Sequence, residues 1–333
     1  MRQRKTKRAI ERIAYSPSGR LLVARDGSGD VHVFEAATLD PVETIAAGDA
    51  RARLLDCLFR AGGQLFLQTQ GYCSAKQDLP AGAPSQAHQA LLPGRPVYNP
   101  EIGWHWTAMW RTMYTQHFAC FGHDGKTFVG WNPTVQGSAV GLWRFDGGLA
   151  RAFEFMNDWT VNDMAVSTDG QFLASAFYSG SAGYEVHLTD LRKKAPARGV
   201  LYHTHNVVKV VWSPVAPVLA CSATRSVWVW DAPAAIRSAA KSPAPGDPPL
   251  MLDPLHRFTG FRTTVEGLSF SPDGKLLVGA ARDGRTRLWE VASGRERADL
   301  DWKGGKVKDV AFSPDGSTIA AACSKSIVVW DVD

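Results

Sequence analysis

The sequence predicts an all-β protein made of seven similar units, and three observations predict it. A four-residue turn recurs: SPSG at Ser16 to Gly19, STDG at Ser167 to Gly170, and SPDG at Ser271 to Gly274 and again at Ser313 to Gly316. Each turn follows a segment with apolar residues two and five positions before the aromatic residue or Val that precedes it, the pattern of a half-buried strand. Thirty-one Gly and nineteen Pro accompany twelve Trp and fifteen Phe among 333 residues, a chain that turns often and packs aromatics between its turns.

The units follow in order. Ile10, Ile13 and Tyr15 lead into the first turn; Val161, Met164 and Val166 into the fourth; Val265, Leu268 and Phe270 into the sixth; Val307, Val310 and Phe312 into the seventh. Looser copies fill the gaps: Leu54, Cys57 and Phe59 before RAGG, Gln116, Ala119 and Phe121 before GHDG, and Val207, Val210 and Trp212 before Ser213 to Ala216. The turns end at residues 19, 63, 125, 170, 216, 274 and 316, a period near 44 with two longer intervals. The long intervals hold two apparent insertions, at about 71–100 and 232–250. The second, APAAIRSAAKSPAPGDPPL, lacks an apolar period, and both are expected as surface loops. A third strand ends several units on an aromatic followed by an acid: Phe34-Glu35, Phe145-Asp146, Trp230-Asp231, Trp289-Glu290 and Trp330-Asp331.

With these residues in view, LSFSPDGKLLVGAARDGRTRLWEVASG and VAFSPDGSTIAAACSKSIVVWDVD resemble WD repeats, and the period agrees. The resemblance implies a single domain over 1–333: a seven-bladed β-propeller of four-stranded antiparallel blades. The last unit stops after its third strand, so Arg2 to Arg8 are expected to supply the missing one and close the ring. Family blades often carry a buried His, Ser or Thr, Asp and Trp network. Here the fifth has His203, Ser222 and Trp230 but Thr224 in place of Asp, and the sixth has Asp283 and Trp289 but Phe261 in place of His. His203 is therefore expected as a structural histidine.

Composition excludes several classes. No apolar run is long enough for a membrane span, and the basic start MRQRKTKRAI meets Glu11 and Arg12 without an apolar signal region. Five scattered cysteines without a C-x-x-C pair suggest neither disulfides nor zinc and fit a reducing cytoplasm. No phosphate-binding loop, nucleophile elbow or H-E-x-x-H occurs, so neither an enzyme nor a cofactor is expected. Asp169, Asp273 and Asp315 are turn residues at equivalent positions, not a catalytic set. His203 and His205 lack further ligands at zinc spacing.

What remains is a binding surface. In WD-repeat propellers the loops entering each inner strand and the turns joining second to third strands surround one channel mouth. Here those turns hold Arg25, Arg225, Arg282, Arg285 and Lys325, and the loops hold Arg262, Lys303 and Lys306, opposed by Asp26 and Asp283. Trp159, Phe261 and Trp302 stand in the same loops as aromatic anchors or as plugs between blades. Solvated turn cations would give the same charge pattern, so both readings stand. A second aromatic group is Tyr98, Trp104, Trp106, Trp110 and Tyr114. The net charge of +5 permits an acidic partner. The expected function is a monomeric interaction scaffold that binds an acidic peptide or protein segment at the rim. Binding of RNA or single-stranded DNA through the same cations is the alternative.

Overall fold

The computed structural model describes residues 1–45, 159–179, 183–192, 198–239, 253–300 and 302–332, and between 54 and 155 the backbone of the strands named below. Trp104 and its aromatic neighbours lie outside the described residues, as do Phe145 and Asp146.

Seven four-stranded antiparallel sheets are described, numbered by the chain order of their first strands. Sheet one comprises Ile10–Tyr15, Leu21–Asp26, Val31–Glu35 and Pro41–Ile45; sheet four comprises Trp159–Val166, Phe172–Ser179, Gly183–Asp190 and Arg198–His203. Sheet five has Val207–Trp212, Val218–Ala223, Ser226–Asp231 and His256–Phe258; sheet six has Val265–Phe270, Leu276–Ala281, Thr286–Glu290 and Glu296–Asp299. Sheet seven takes Val307–Phe312, Thr318–Cys323 and Ser326–Asp331 from the end of the chain and Arg2–Lys5 from its start. Arg2 stands opposite Val329 and Lys5 opposite Ser326, so the first strand of the chain covers the edge of the last sheet. Strands at Leu54–Phe59, Leu65–Thr69, Tyr72–Lys76 and Ala90–Leu91 pair in the same serial order, as do Ala119–Phe121, Thr127–Thr134, Gly137–Arg144 and Leu149–Phe155. The segment 71–100, expected as an inserted loop, therefore contains a third and a fourth strand.

The recurring turn has one mechanism. In the copies at Ser167, Ser271 and Ser313, the Ser hydroxyl donates to the Asp two residues on at 2.6 Å and accepts the amide of the residue five on at 2.9 Å. The closing Gly adopts φ of +68°, +69° and +75°, a conformation that is cheap only without a Cβ. In the first copy Ser18 replaces the Asp, and its hydroxyl lies 3.0 Å from that of Ser16. Asp273 is held down to about pKa 2 by the Ser271 hydroxyl and then by the Lys275 amide, so these acids are spent on the turn.

The core lies between sheets rather than within them. Second strands are covered on both faces and read as unbroken apolar runs: Leu276–Ala281 is buried throughout, and in Thr318–Cys323 only Thr318 is not. Ala320 and Ala322 face sheet one beside Ile13 and Leu22, while Ala321 and Cys323 face sheet six beside Val278 and Leu288. First strands of neighbouring sheets lie side by side. At Gly267 a Cβ would stand 2.8 Å from the Val310 amide nitrogen, so only glycine fits. Two buried carboxylates fasten neighbours: Asp309 accepts the Ile13 amide at 3.1 Å and Asp163 accepts the Val210 amide at 2.8 Å.

The start of the 232–250 segment is not a loop. Ala232–Ala239 forms a helix, α1, capped by Asp231, whose carboxylate accepts the Ala234 amide at 2.8 Å. Ala232, Ala235 and Ile236, at helical spacing, pack onto the core shared by sheets four and five. Three residues are too few for the eye to see as a period. Replacing 232–239 by a Gly/Ser linker is expected to lower unfolding stability by roughly 1–3 kcal/mol, from the apolar area exposed. Denaturant titration checks this, and an unchanged midpoint would contradict the packing.

Candidate functional site

One end of the sheets is tied together by backbone hydrogen bonds that pass from loop to turn. Asn206 O accepts from Thr224 N at 3.1 Å, Thr224 O from Val265 N at 2.8 Å, and Thr264 O from Arg282 N at 3.1 Å. Gly284 O then accepts from Trp302 N at 3.1 Å, Lys306 O from Ser324 N at 3.0 Å, and Lys325 O from Thr6 N at 3.0 Å. Ala9 O accepts from Gly27 N at 3.0 Å and completes the run into sheet one. The loops and turns singled out in the sequence thus form a contiguous border across sheets five, six, seven and one.

The cations on this border divide into two groups. Arg282 pairs with Glu266 at 2.5 Å and Arg285 with Asp299 at 3.8 Å, while Lys308 beside them pairs with Glu11 at 2.6 Å. Besides Asp26 and Asp283, the acids expected from the sequence, Glu11 and Glu266 also oppose the cations here; plain alternation in the sequence does not mark them. Arg225, Arg262, Lys303, Lys306 and Lys325 are exposed, and among the described residues no acid lies within ion-pair distance of them. Asp283 serves the backbone, accepting the Arg262 amide at 3.0 Å and the Arg285 amide at 3.2 Å. Arg25 belongs to the strand Leu21–Asp26 rather than to the turn, is half-buried, and has its Nε buried.

Of the aromatic residues, Phe261 and Trp302 are packed against the sheets. Phe261 is 4% exposed, stacks edge-on to Trp289 at 5.9 Å and lies under the Arg287 guanidinium at 5.3 Å. It fills the place of the absent His by packing, because an apolar ring satisfies itself there without a hydrogen-bond partner. Trp302 is half-buried against the core of sheets six and seven. The side chain of Trp159 lies outside the described residues. At the opposite end a cavity of about 420 Å³ opens among the repeat turns, lined by Trp212, Phe270, Phe312, Pro214, Pro272 and Pro314.

His203 is packed, not poised. Its ring meets Trp228 and Trp230 edge-on at 5.5 and 5.8 Å, and Nε2 lies 3.6 Å from Cys221 Sγ. Burial lifts the thiol to about pKa 12, so it stays protonated beside Nε2. The Ser222 hydroxyl is buried and, among the described residues, has no hydrogen-bond partner, so it does not join His203 and Trp230 in the network the family often carries. Desolvation pulls His203 down to about pKa 4 from 6.5. Its contribution to stability is fully present above pH 6.5 and is lost as pH falls through about 4, on the order of 3 kcal/mol in all. A His203→Phe variant is expected to show a flatter stability profile between pH 6.5 and 4; an equal decline in both proteins would contradict this assignment. Among the described residues no group of three or more His, Cys, Asp or Glu could hold a metal ion.

Comparison with known proteins bears on the C-terminal part of this border. Residues 252–290 and 298–331 match the family described as WD domain, G-beta repeat. Each matched stretch begins at the fourth strand of one sheet and ends at the third strand of the next. Over 69 residues the chain is 36% identical to the Small ribosomal subunit protein RACK1z of Oryza sativa subsp. japonica, covering 21% of this chain and 20% of that protein. Over 77 residues it is 31% identical to RACK1y, a small ribosomal subunit protein of the same plant, covering 23% of each. The chain spans about one fifth of the length of these curated relatives.

Proposed function

We propose that the whole protein is a seven-bladed propeller, closed by its N-terminal strand, that serves as a non-enzymatic protein-interaction scaffold, a reading supported by the match of residues 252–290 and 298–331 to WD repeats. Its tied border is the rim of a central channel and binds an acidic peptide or protein segment. The observation that carries this reading is a set of five exposed cations, none with an acidic partner among the described residues, on one hydrogen-bonded border drawn from sheets five, six and seven. A cation already paired gains little from a ligand carboxylate, whereas an unpaired one gains a charge-assisted contact. Arg225, Arg262, Lys303, Lys306 and Lys325 therefore carry recognition; Arg282 and Arg285 shape the rim. The protein works as a cytoplasmic monomer.

The test is a pull-down from native lysate followed by kinetics on the captured partner. Reversing Arg225 and Lys325 to Glu is expected to slow association about tenfold at low salt and to flatten its salt dependence. Rates and captured partners that are unchanged by the double reversal would overturn the reading. Capture of single-stranded oligonucleotides with a steep salt slope would replace the peptide by nucleic acid.

A further inference from the structure

Resting on the rim reading above, we propose that the acidic segment docks where the two ends of the chain meet, and that its binding is coupled to the docking of the N-terminal strand. Three segments converge there. The strand Arg2–Lys5 pairs with Ser326–Asp331 and continues through Thr6, whose amide donates to Lys325 O at 3.0 Å, to the exposed Lys7. Lys325 lies in the turn whose Ser324 exchanges hydrogen bonds with Lys306, Ser324 N to Lys306 O at 3.0 Å and Lys306 N to Ser324 Oγ at 3.1 Å. Lys303 stands in the same loop as Lys306. That loop is held in shape: the Trp302 amide donates to Gly284 O at 3.1 Å, and a Cβ on Gly304 would overlap the Trp302 ring.

Lys7, Lys303, Lys306 and Lys325 thus gather on one arc of the rim, from residues some 300 positions apart in the chain. Among the described residues none of the four has an acidic partner, and the acids nearby are engaged. Asp30 pairs with Arg8 at 3.5 Å, Glu11 with Lys308 at 2.6 Å, and Asp331, at the far end of its strand, with the Met1 amino group at 3.2 Å. Docking the N-terminal strand brings Lys7 to the segments that carry the three other lysines, so at low salt closure works against like-charge repulsion. A carboxylate-rich segment laid across the arc relieves that repulsion. A ligand that binds only the docked form stabilises it by mass action. Binding and closure then support each other, and the lysines that serve recognition are kept at a cost in stability.

This arrangement makes an unusual pair of signs testable. The probe is a fluorescein-labelled peptide of alternating Glu and Asp, read by anisotropy at low salt. Lys7→Glu with Lys325→Glu is expected to weaken its binding on the order of tenfold and at the same time to raise the melting temperature of the free protein. Lys275→Glu, at the other end of the sheets, should leave affinity as it is. Bound peptide should slow amide exchange of residues 2–5 in the unaltered protein. Weaker binding with a melting temperature that stays level or falls would overturn the coupling. Binding that survives the seam reversal but is lost on Arg225→Glu would leave the rim reading intact and remove the seam. Failure of the peptide to bind at all, with or without binding of a single-stranded oligonucleotide, would overturn both.

Discussion

Protein lacking residues 1–8 is expected to unfold at markedly lower denaturant than the full chain. The truncation removes the partner of Ser326–Asp331 along four opposed residues. At about 1 kcal/mol for each ladder hydrogen bond lost, together with the newly exposed edge, the cost is on the order of 3–5 kcal/mol. Arg2, Arg4 and the Met1 amino group add little, since their acidic partners Asp331 and Asp40 are more than half exposed and such pairs are largely screened. The exposed edge should also make the truncated protein prone to self-association, visible by light scattering. An unfolding midpoint equal to that of the full chain would mean that sheet seven stands without its fourth strand.

Trp289→Ala is expected to cost as much from a single side chain. Trp289 is 2% exposed, stacks on Phe258 at 4.6 Å with the rings nearly parallel, and meets Phe261 edge-on at 5.9 Å. Truncating it leaves a cavity between sheets five and six, at about 3–5 kcal/mol. The complementary change is Gly279→Ala: a Cβ there would lie 2.9 Å from the Trp289 ring, in a strand with no slack. Urea titration of both variants should show both destabilised, the Trp variant more. A Trp289→Ala cost below 1 kcal/mol would show that the aromatic stack is not what joins these sheets.

How far the sequence could be read depended on what kind of signal each feature leaves. The turns were legible because Ser, Asp and Gly each perform one local task there, and local tasks leave fixed spacings. The apolar residues Ile10, Ile13 and Tyr15, or Val307, Val310 and Phe312, were legible as strands, yet their spacing of three and then two carried a further message. Strict alternation would have been two and two. The extra residue is a β-bulge: pairing shifts between Ile10 and Arg12, Val265 and Gly267, and Val307 and Asp309. The residues at these bulges, Glu11, Glu266 and Lys308, pair with neighbours on the border. Reading plain alternation hid them, and with them the acids that neutralise Arg282. Asp163 and Asp309 were passed over as polar positions in half-buried strands; their partners are amides 47 and 296 residues away, which no local pattern reports. Phe261 looked like a loop aromatic because its stacking partner, Trp289, is supplied by a later strand of sheet six. Helix α1 shows only Ala232, Ala235 and Ile236 as its buried face, in a stretch where Pro and Ala mask the spacing.

The measurement that tests the central claim most directly is the hydrogen-exchange footprint of an acidic peptide on the full-length protein. If the tied border is the binding rim, protection should concentrate in 224–226, 262–265, 302–306 and 324–326, with the repeat turns at 16–19, 167–170, 271–274 and 313–316 unaffected. Protection confined to those repeat turns, beside the cavity lined by Trp212 and Phe312, would place binding at the opposite end of the sheets and contradict the account.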